Sequence, residues 1–227
     1  MNFVSHYYFE RYAHEPERVL GSLLPDLLKN ADKSYSFQPQ RFEEILFANP
    51  QTRAISEGWY RHVEVDKLFH NCDFFLSHSH QLRKKIDPVL GDLPIRASFL
   101  AHIAIEILLD HLIIQDQVVN VARLYEHLES ASKKHTKIYL EQIGLEDTSR
   151  YFSFYDRFLQ SKYMFQYENI ENLSHALFNI CKRVWDFQVE EKHQQQLTGV
   201  LIDYKSDYLS NYKEVFHYIQ ANMTYLS

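Results

Sequence analysis

The chain has 227 residues, of which 45% are hydrophobic and 24% charged, and its formal net charge is −6. This acidic balance argues against a nucleic-acid-binding protein, because such proteins present basic surfaces. Only five glycines and six prolines are present, and tight turns and strand ends consume these residues. The composition therefore predicts an all-α protein that is long enough to bury a large core.

The N-terminal residues do not resemble a secretory signal, because no basic stretch is followed by an apolar core. No uninterrupted apolar run reaches the roughly 20 residues that a membrane span needs. The two cysteines, Cys72 and Cys181, lack the spacing of a metal site, and we expect them to be reduced. We therefore expect a cytoplasmic protein with no membrane partner.

Apolar residues at helical spacing predict helices along the whole chain. In chain order the predicted helices cover residues 2–13, 16–30, 52–71, 73–90, 98–114, 120–143, 149–165, 168–187 and 190–225. No repeat, low-complexity tract or linker interrupts them. We predict a single domain, residues 1–227, folded as a compact bundle of about eight helices. Residues 1–115 would carry the functional site and residues 116–227 would complete the bundle.

The predicted helix 98–114 is almost entirely apolar, yet His102, Glu106 and Asp110 follow one another at intervals of four. Residues four apart lie on one face of a helix, and buried ionisable groups need partners or a metal. We interpret the helix as one wall of a metal-assisted hydrolytic site. Two alternatives stay open: a core histidine bonded to a carbonyl, and an ion pair of the carboxylates with Arg61 or Arg96.

Other pairs of a histidine and an acidic residue are weaker evidence for a metal site, because chance alone produces some of them. His6/Glu10 and His62/Asp66 repeat the spacing of four, and an exposed surface pair is the alternative for the second. Asp26 follows Pro25 inside an apolar run and could be a helix-start residue.

Glu190/His193 and Glu214/His217 have the Glu-x-x-His spacing of di-iron carboxylate bundles. Both pairs lie in a hydrophilic region, which argues against ligands that face a bundle core. No P-loop, dinucleotide-binding or Gly-x-Ser-x-Gly motif is present.

Four segments, in this order, resemble the acyl carrier protein phosphodiesterase family. They are Met1-Asn2-Phe3-x-x-His6, Gly21-x-Leu23-Leu24-x-Asp26, Gly58-x-x-x-His62-x-x-x-Asp66 and Asp110-His111-Leu112. The resemblance covers about residues 1–115. It implies an α-helical fold related to the HD phosphohydrolases and a manganese-dependent reaction. That reaction cleaves the phosphodiester between 4′-phosphopantetheine and a serine of acyl carrier protein.

The resemblance implies that Asp26 is essential and that His6, His62, Asp66 and Asp110 surround the metal. Carboxylates suit hard ions and imidazole suits Mn²⁺. We therefore expect Asp26, His62, Asp66 and Asp110 to bind Mn²⁺ or Mg²⁺, with His6 or His111 protonating the leaving serine oxygen. We expect His102, Glu106 and His70 to orient the ligands without binding the ion.

The chain departs from the family pattern around His62, because Val63 and Glu64 follow it where the family has basic residues. His70 stands where the family has an acidic residue. The basic run Arg83, Lys84 and Lys85 could replace the missing basic surface and attract an acidic carrier protein; a solvated helix face is the alternative.

The sequence is therefore compatible with three functions. The leading hypothesis is an acyl carrier protein phosphodiesterase. The second is a related hydrolase of a nucleotide or another small phosphoester, and the third is a helical binding module without catalytic activity.

Overall fold

A computed structural model describes residues 1–224, and it contains no β-strand within them. These residues form twelve α-helices and two short 3₁₀ helices, at Pro39–Phe42 and Tyr163–Glu168. The α-helices are α1 Phe3–Glu10, α2 Pro16–Ala31, α3 Glu43–Phe47, α4 Pro50–Asn71, α5 Asp73–Leu90, α6 Ala97–Gln115, α7 Val121–Ser130, α8 Lys133–Gln142, α9 Ser149–Ser161, α10 Glu171–Cys181, α11 Glu191–Tyr208 and α12 Lys213–Asn222. The predicted all-α class is confirmed, whereas the predicted number of about eight helices is too low.

The predicted helix 120–143 is two helices, because a local cap interrupts it. The Ser132 side chain accepts a hydrogen bond from the backbone N–H of His135 and thereby starts α8. Gly144 follows the end of α8 with a φ of 100°, a conformation that glycine adopts without strain. The predicted end of this region is therefore right and its continuity is wrong.

The predicted helix 190–225 also divides, into α11 and α12, while its last predicted residue, Tyr225, lies outside the described residues. Tyr212 sits between the two helices. Its hydroxyl donates to the carboxylate of Asp116 at 2.8 Å and lies 3.2 Å from the carbonyl oxygen of Leu112. A contact with a distant part of the chain thus sets the break, and helical periodicity does not reveal it.

The described residues divide into two compact units, each assembled from separate parts of the chain. Unit 1 comprises residues 1–5, 67–118 and 164–223, and unit 2 comprises residues 6–66 and 119–163, with Thr224. The boundaries fall within α1 and within α4. The prediction of a single domain stays a prediction.

In unit 1, α6 is the central helix and packs against α5 and α10, while α11 also packs against both of these. Burial explains the apolar composition of α6, since 61% of its most apolar 18-residue stretch is buried inside the protein. By length and composition α6 could also span a membrane, a property that core helices share.

In unit 2, α2 packs against α7 and α9 and crosses α4 at two glycines. A Cβ atom on Gly21 would lie 2.2 Å from the carbonyl oxygen of Ile55, and one on Gly58 would lie 2.1 Å from the carbonyl oxygen of Arg18. Because backbone atoms cannot move aside as side chains do, only glycine fits at either position. The two glycines therefore fix how closely α2 and α4 approach.

We expect Gly58→Ala to lower the free energy of unfolding by about 3 kcal/mol or more, since the added methyl group would overlap backbone atoms in a packed interior. Urea denaturation measures this change. The matched control is Gly199→Ala in α11, where nothing lies within 4 Å of the added carbon. There we expect a gain of about 0.5 kcal/mol from helix propensity. Equal effects of the two substitutions would contradict the close crossing.

Candidate metal centre

His62 on α4 is held by a main-chain group of α2. Its Nδ1 lies 2.9 Å from the carbonyl oxygen of Ser22, and because a carbonyl only accepts, Nδ1 carries the proton. The Nε2 on the other side of the ring faces two carboxylates, 3.5 Å from Asp66 and 4.0 Å from Asp26. Metal-binding histidines commonly use one ring nitrogen in this way to orient the other.

His6 on α1 lies against His62. The two rings stack with their centroids 3.9 Å apart and their planes 17° from parallel. His6 Nε2 lies 3.2 Å from an Asp66 oxygen, yet neither His6 ring nitrogen makes a well-aligned hydrogen bond to any described residue. The side chain is 1% exposed, so water does not reach it readily. Buried polar atoms of this kind need a partner.

Three residues, His6, His62 and Asp66, each place one ligand atom within 4.8 Å of the other two. We call them the His62 group. Asp26 lies at its edge. The side chains of Asp66 and Asp26 are about one-third exposed, at 31% and 34%, whereas both imidazoles are buried. The group therefore has a buried side formed by the two imidazoles and a carboxylate side that solvent and ions can reach.

The charges of the group suit a cation. Burial and the neighbouring His62 lower the pKa of His6 to about 3, so that its ring is neutral at neutral pH. Burial acts to raise the pKa of Asp66, but its contacts with His6 and His62 outweigh burial and hold it below its usual range. A neutral imidazole beside an ionised carboxylate is the protonation state that metal binding requires.

The residues present fit a divalent ion that accepts both nitrogen and oxygen. A cation between His6, His62 and Asp66 would give the His6 ring a partner and would lie between His62 Nε2 and the carboxylate of Asp66. Mn²⁺ accepts such a mixed set, and Mg²⁺ prefers the oxygens. Three protein ligands leave positions for water or substrate.

An ion-pair network in unit 2 supports the helices that carry the group. The buried Glu10 lies 2.7 Å from Arg18 of α2 and 3.4 Å from Arg61 of α4. Arg18 also lies 3.1 Å from Glu57. Glu10 therefore pairs with an arginine of α2 and an arginine of α4.

Asp110, predicted to bind the metal, has another role in unit 1. It is fully buried, and its oxygens accept from the backbone N–H groups of Val4 and Ser5, the Ser5 hydroxyl and the Asn2 amide, at 2.6–3.2 Å. It therefore caps the N-terminus of α1. Burial raises its pKa to about 7 in spite of these donors. Its contacts give no support to the predicted role as a ligand.

His111, predicted as a proton donor, is also occupied. Its Nδ1 donates to the carbonyl oxygen of Tyr167 at 2.8 Å, so Nε2 accepts from the Lys205 ammonium at 3.0 Å. A ring with both nitrogens engaged in this way has no proton to give to a leaving group. The arrangement favours a structural role.

His70, His102 and Glu106, predicted to orient the ligands, form a group of their own in unit 1. His102 has a side-chain exposure of 46%, so the prediction of a wholly buried stripe on α6 was wrong. Of the three polar residues on that stripe, only Asp110 is completely buried.

The basic run on α5 lies partly at the surface. Arg83 and Lys84 are exposed, and the Lys85 ammonium lies 5.1 Å from the centre of the Tyr208 ring. The role of this basic run in partner binding stays a prediction.

The Glu-x-x-His pairs have a local explanation. Glu190 and His193 form a capping box at the start of α11, in which each side chain bonds the backbone of the other residue. Glu214 and His217 are exposed on α12. The structure therefore argues against the di-iron alternative.

The contribution of Ser22 could not be predicted from the sequence, because it is a carbonyl oxygen that any residue possesses. No residue-type pattern could have identified it. Gly21 and Gly58, each inside a predicted helix, were the available signal that α2 and α4 approach closely.

We expect His6 to lower the stability of the folded protein as the pH drops below about 6.5. The His6 imidazole binds a proton near pH 6.5 in the unfolded chain and only near pH 3 in the folded chain. Between these pH values, protonation of His6 in the unfolded chain therefore favours unfolding. The loss approaches about 1.4 kcal/mol per pH unit. His6→Gln removes this contribution, and the exposed His80→Gln is the control. Urea denaturation at about pH 7 and about pH 5 measures the difference, and identical pH dependence of His6→Gln and the wild type would contradict it.

Comparison of the chain with family models, with curated proteins and with solved structures gives no match in any of the three.

Proposed function

We propose that the chain is a metal-dependent phosphodiesterase whose ion is held by the His62 group. The observation that carries the proposal is the convergence of two buried imidazoles and a carboxylate, with the His6 ring lacking an aligned partner. A purely structural cluster would satisfy both ring nitrogens, as the surroundings of His111 do.

A phosphodiester is anionic and resists attack by water. Bound Mn²⁺ or Mg²⁺ neutralises charge on the phosphate and lowers the pKa of a bound water. His6, His62 and Asp66 hold the ion in this proposal. Asp26 is partly exposed and 4.0 Å from His62 Nε2, where its carboxylate can orient the attacking water and take its proton. This assigns His6 to metal binding in place of protonating the leaving group.

The substrate class rests on the sequence resemblance. His6, Asp26, His62 and Asp66 come from three of the four segments that resemble acyl carrier protein phosphodiesterases, and these residues adjoin one another in unit 2. We therefore propose the phosphopantetheine–serine phosphodiester of a carrier protein as the substrate. The exposed Arg83 and Lys84 would attract an acidic carrier by charge.

A second candidate is the hydrolysis of a nucleotide or another small phosphoester. It is favoured by Val63, which is 45% exposed beside His62 where the family has a basic residue. The same metal chemistry serves both candidates, so the substrate assay distinguishes them.

The activity test measures phosphopantetheine released from a holo-carrier protein in the presence of Mn²⁺. We expect Asp26→Asn to lower kcat/KM by about 10²-fold or more, the usual effect of losing a general base. The exposed carboxylate of Asp203 provides the matched control, Asp203→Asn, which we expect to retain activity. If purified wild-type protein with Mn²⁺ hydrolyses neither the carrier nor a small phosphodiester, the non-catalytic binding module is the better account.

The partner test uses the double variant Arg83→Glu/Lys84→Glu. We expect KM for the carrier protein to rise about tenfold at low salt, because like charges now face an acidic partner. KM for bis(p-nitrophenyl) phosphate should not change. Equal kinetics of the variant and the wild type on the carrier would contradict this docking role and favour the small-substrate alternative.

A further inference from the structure

A second set of potential ligands lies in unit 1 and shares no residue with the His62 group. His70 Nε2 and His102 Nε2 lie 3.1 and 3.2 Å from the same oxygen of Glu106. The ligand atoms of the three residues are all within 4.8 Å of one another. The Met1 amino nitrogen lies 3.4 Å from that oxygen as well.

The two imidazoles are held in place by aromatic contacts. Phe75 presents its ring edge-on to both, with centroid distances of 4.9 Å to His70 and 4.8 Å to His102. The two histidine rings stack at 5.0 Å, 26° from parallel. Phe75 itself is buried, at 5% exposure. Ligands fixed in this way lose little freedom when an ion binds.

We propose that His70, His102 and Glu106 form a second metal site, selective for a transition ion such as Zn²⁺. Two imidazoles and one carboxylate are a ligand set that zinc uses when one position stays open. Nitrogen ligands favour Zn²⁺ over Mg²⁺. This proposal does not depend on the function of the His62 group.

A groove gives access to this site and indicates what could bind there. It has a volume of about 780 Å³, and His102 and Glu106 line it together with Phe99, Trp185 and Arg96. The Phe99 and Trp185 rings meet edge to face at 5.0 Å. The groove is therefore lined by two aromatic rings and by Arg96 as well as by two of the proposed ligands. These features suit a small aromatic or apolar molecule whose carboxylate occupies the open position on the metal.

The metal test starts from the Asp66→Asn protein, in which the His62 group lacks its charged ligand. Co²⁺, a spectroscopic substitute for Zn²⁺, is titrated while its visible absorption is recorded. We expect one ion to bind, and we expect His102→Ala in this background to weaken binding at least tenfold. Adding the exposed His80→Ala instead should change nothing. Far-UV circular dichroism checks folding, and Glu106→Gln provides a second variant of nearly equal size.

Failure of Asp66→Asn protein to bind Co²⁺, or binding that ignores both His102→Ala and Glu106→Gln, would overturn the second site. Loss of phosphodiesterase activity in Asp66→Asn with Co²⁺ binding intact would concern only the His62 group. The two proposals therefore fail separately.

The groove is tested with benzoate as the probe. We expect benzoate to change the Co²⁺ absorption spectrum, and we expect Trp185→Ala to weaken benzoate binding about fivefold without weakening Co²⁺ binding. A spectrum that does not respond to benzoate would overturn the assignment of the groove.

Discussion

The close crossing of α2 and α4 is the constraint on which the candidate metal centre depends. Gly21 and Gly58 let the two backbones meet without intervening side chains, and this contact allows the Ser22 carbonyl to reach His62. A larger residue at either position would part the helices and remove the bond that selects the tautomer of His62. The geometry of the site therefore follows from backbone packing before any ligand is considered.

Two buried polar side chains, Asp110 and His6, differ in how far their hydrogen-bonding atoms have partners. Asp110 accepts four hydrogen bonds from three residues at the start of α1, Asn2, Val4 and Ser5, and these contacts give it a structural role. His6 is just as inaccessible, yet its ring nitrogens have no well-aligned partner among the described residues. Leaving buried polar atoms unsatisfied costs about 1–3 kcal/mol, and this cost at His6 is why we propose a bound cation there.

The helical class and the residues of the His62 group could be predicted from the sequence. The assumption that residues at intervals of four stay on one face of a helix fails over eight residues. Each step of four residues rotates by about 40° around a helix, so eight residues turn the side chain by about 80°. This rotation explains why His102 is exposed while Asp110 is buried on α6. The same rotation on α4 assigns His62 and Asp66 to one group and His70 to another. Two of the predicted long helices are divided, one at the Ser132 cap and one at Tyr212, which contacts Asp116. The spacing of apolar residues does not reveal either break.

Electron spin echo measurements on bound Mn²⁺ test the central claim most directly. The protein carries ¹⁵N-labelled histidine, and His102→Ala is included to disable the second group. We expect Mn²⁺ to couple to two histidine nitrogens in this protein and to one after His6→Gln. We also expect Asp66→Asn to weaken Mn²⁺ binding greatly. Mn²⁺ that shows no histidine coupling, or coupling that His6→Gln leaves unchanged, would contradict it.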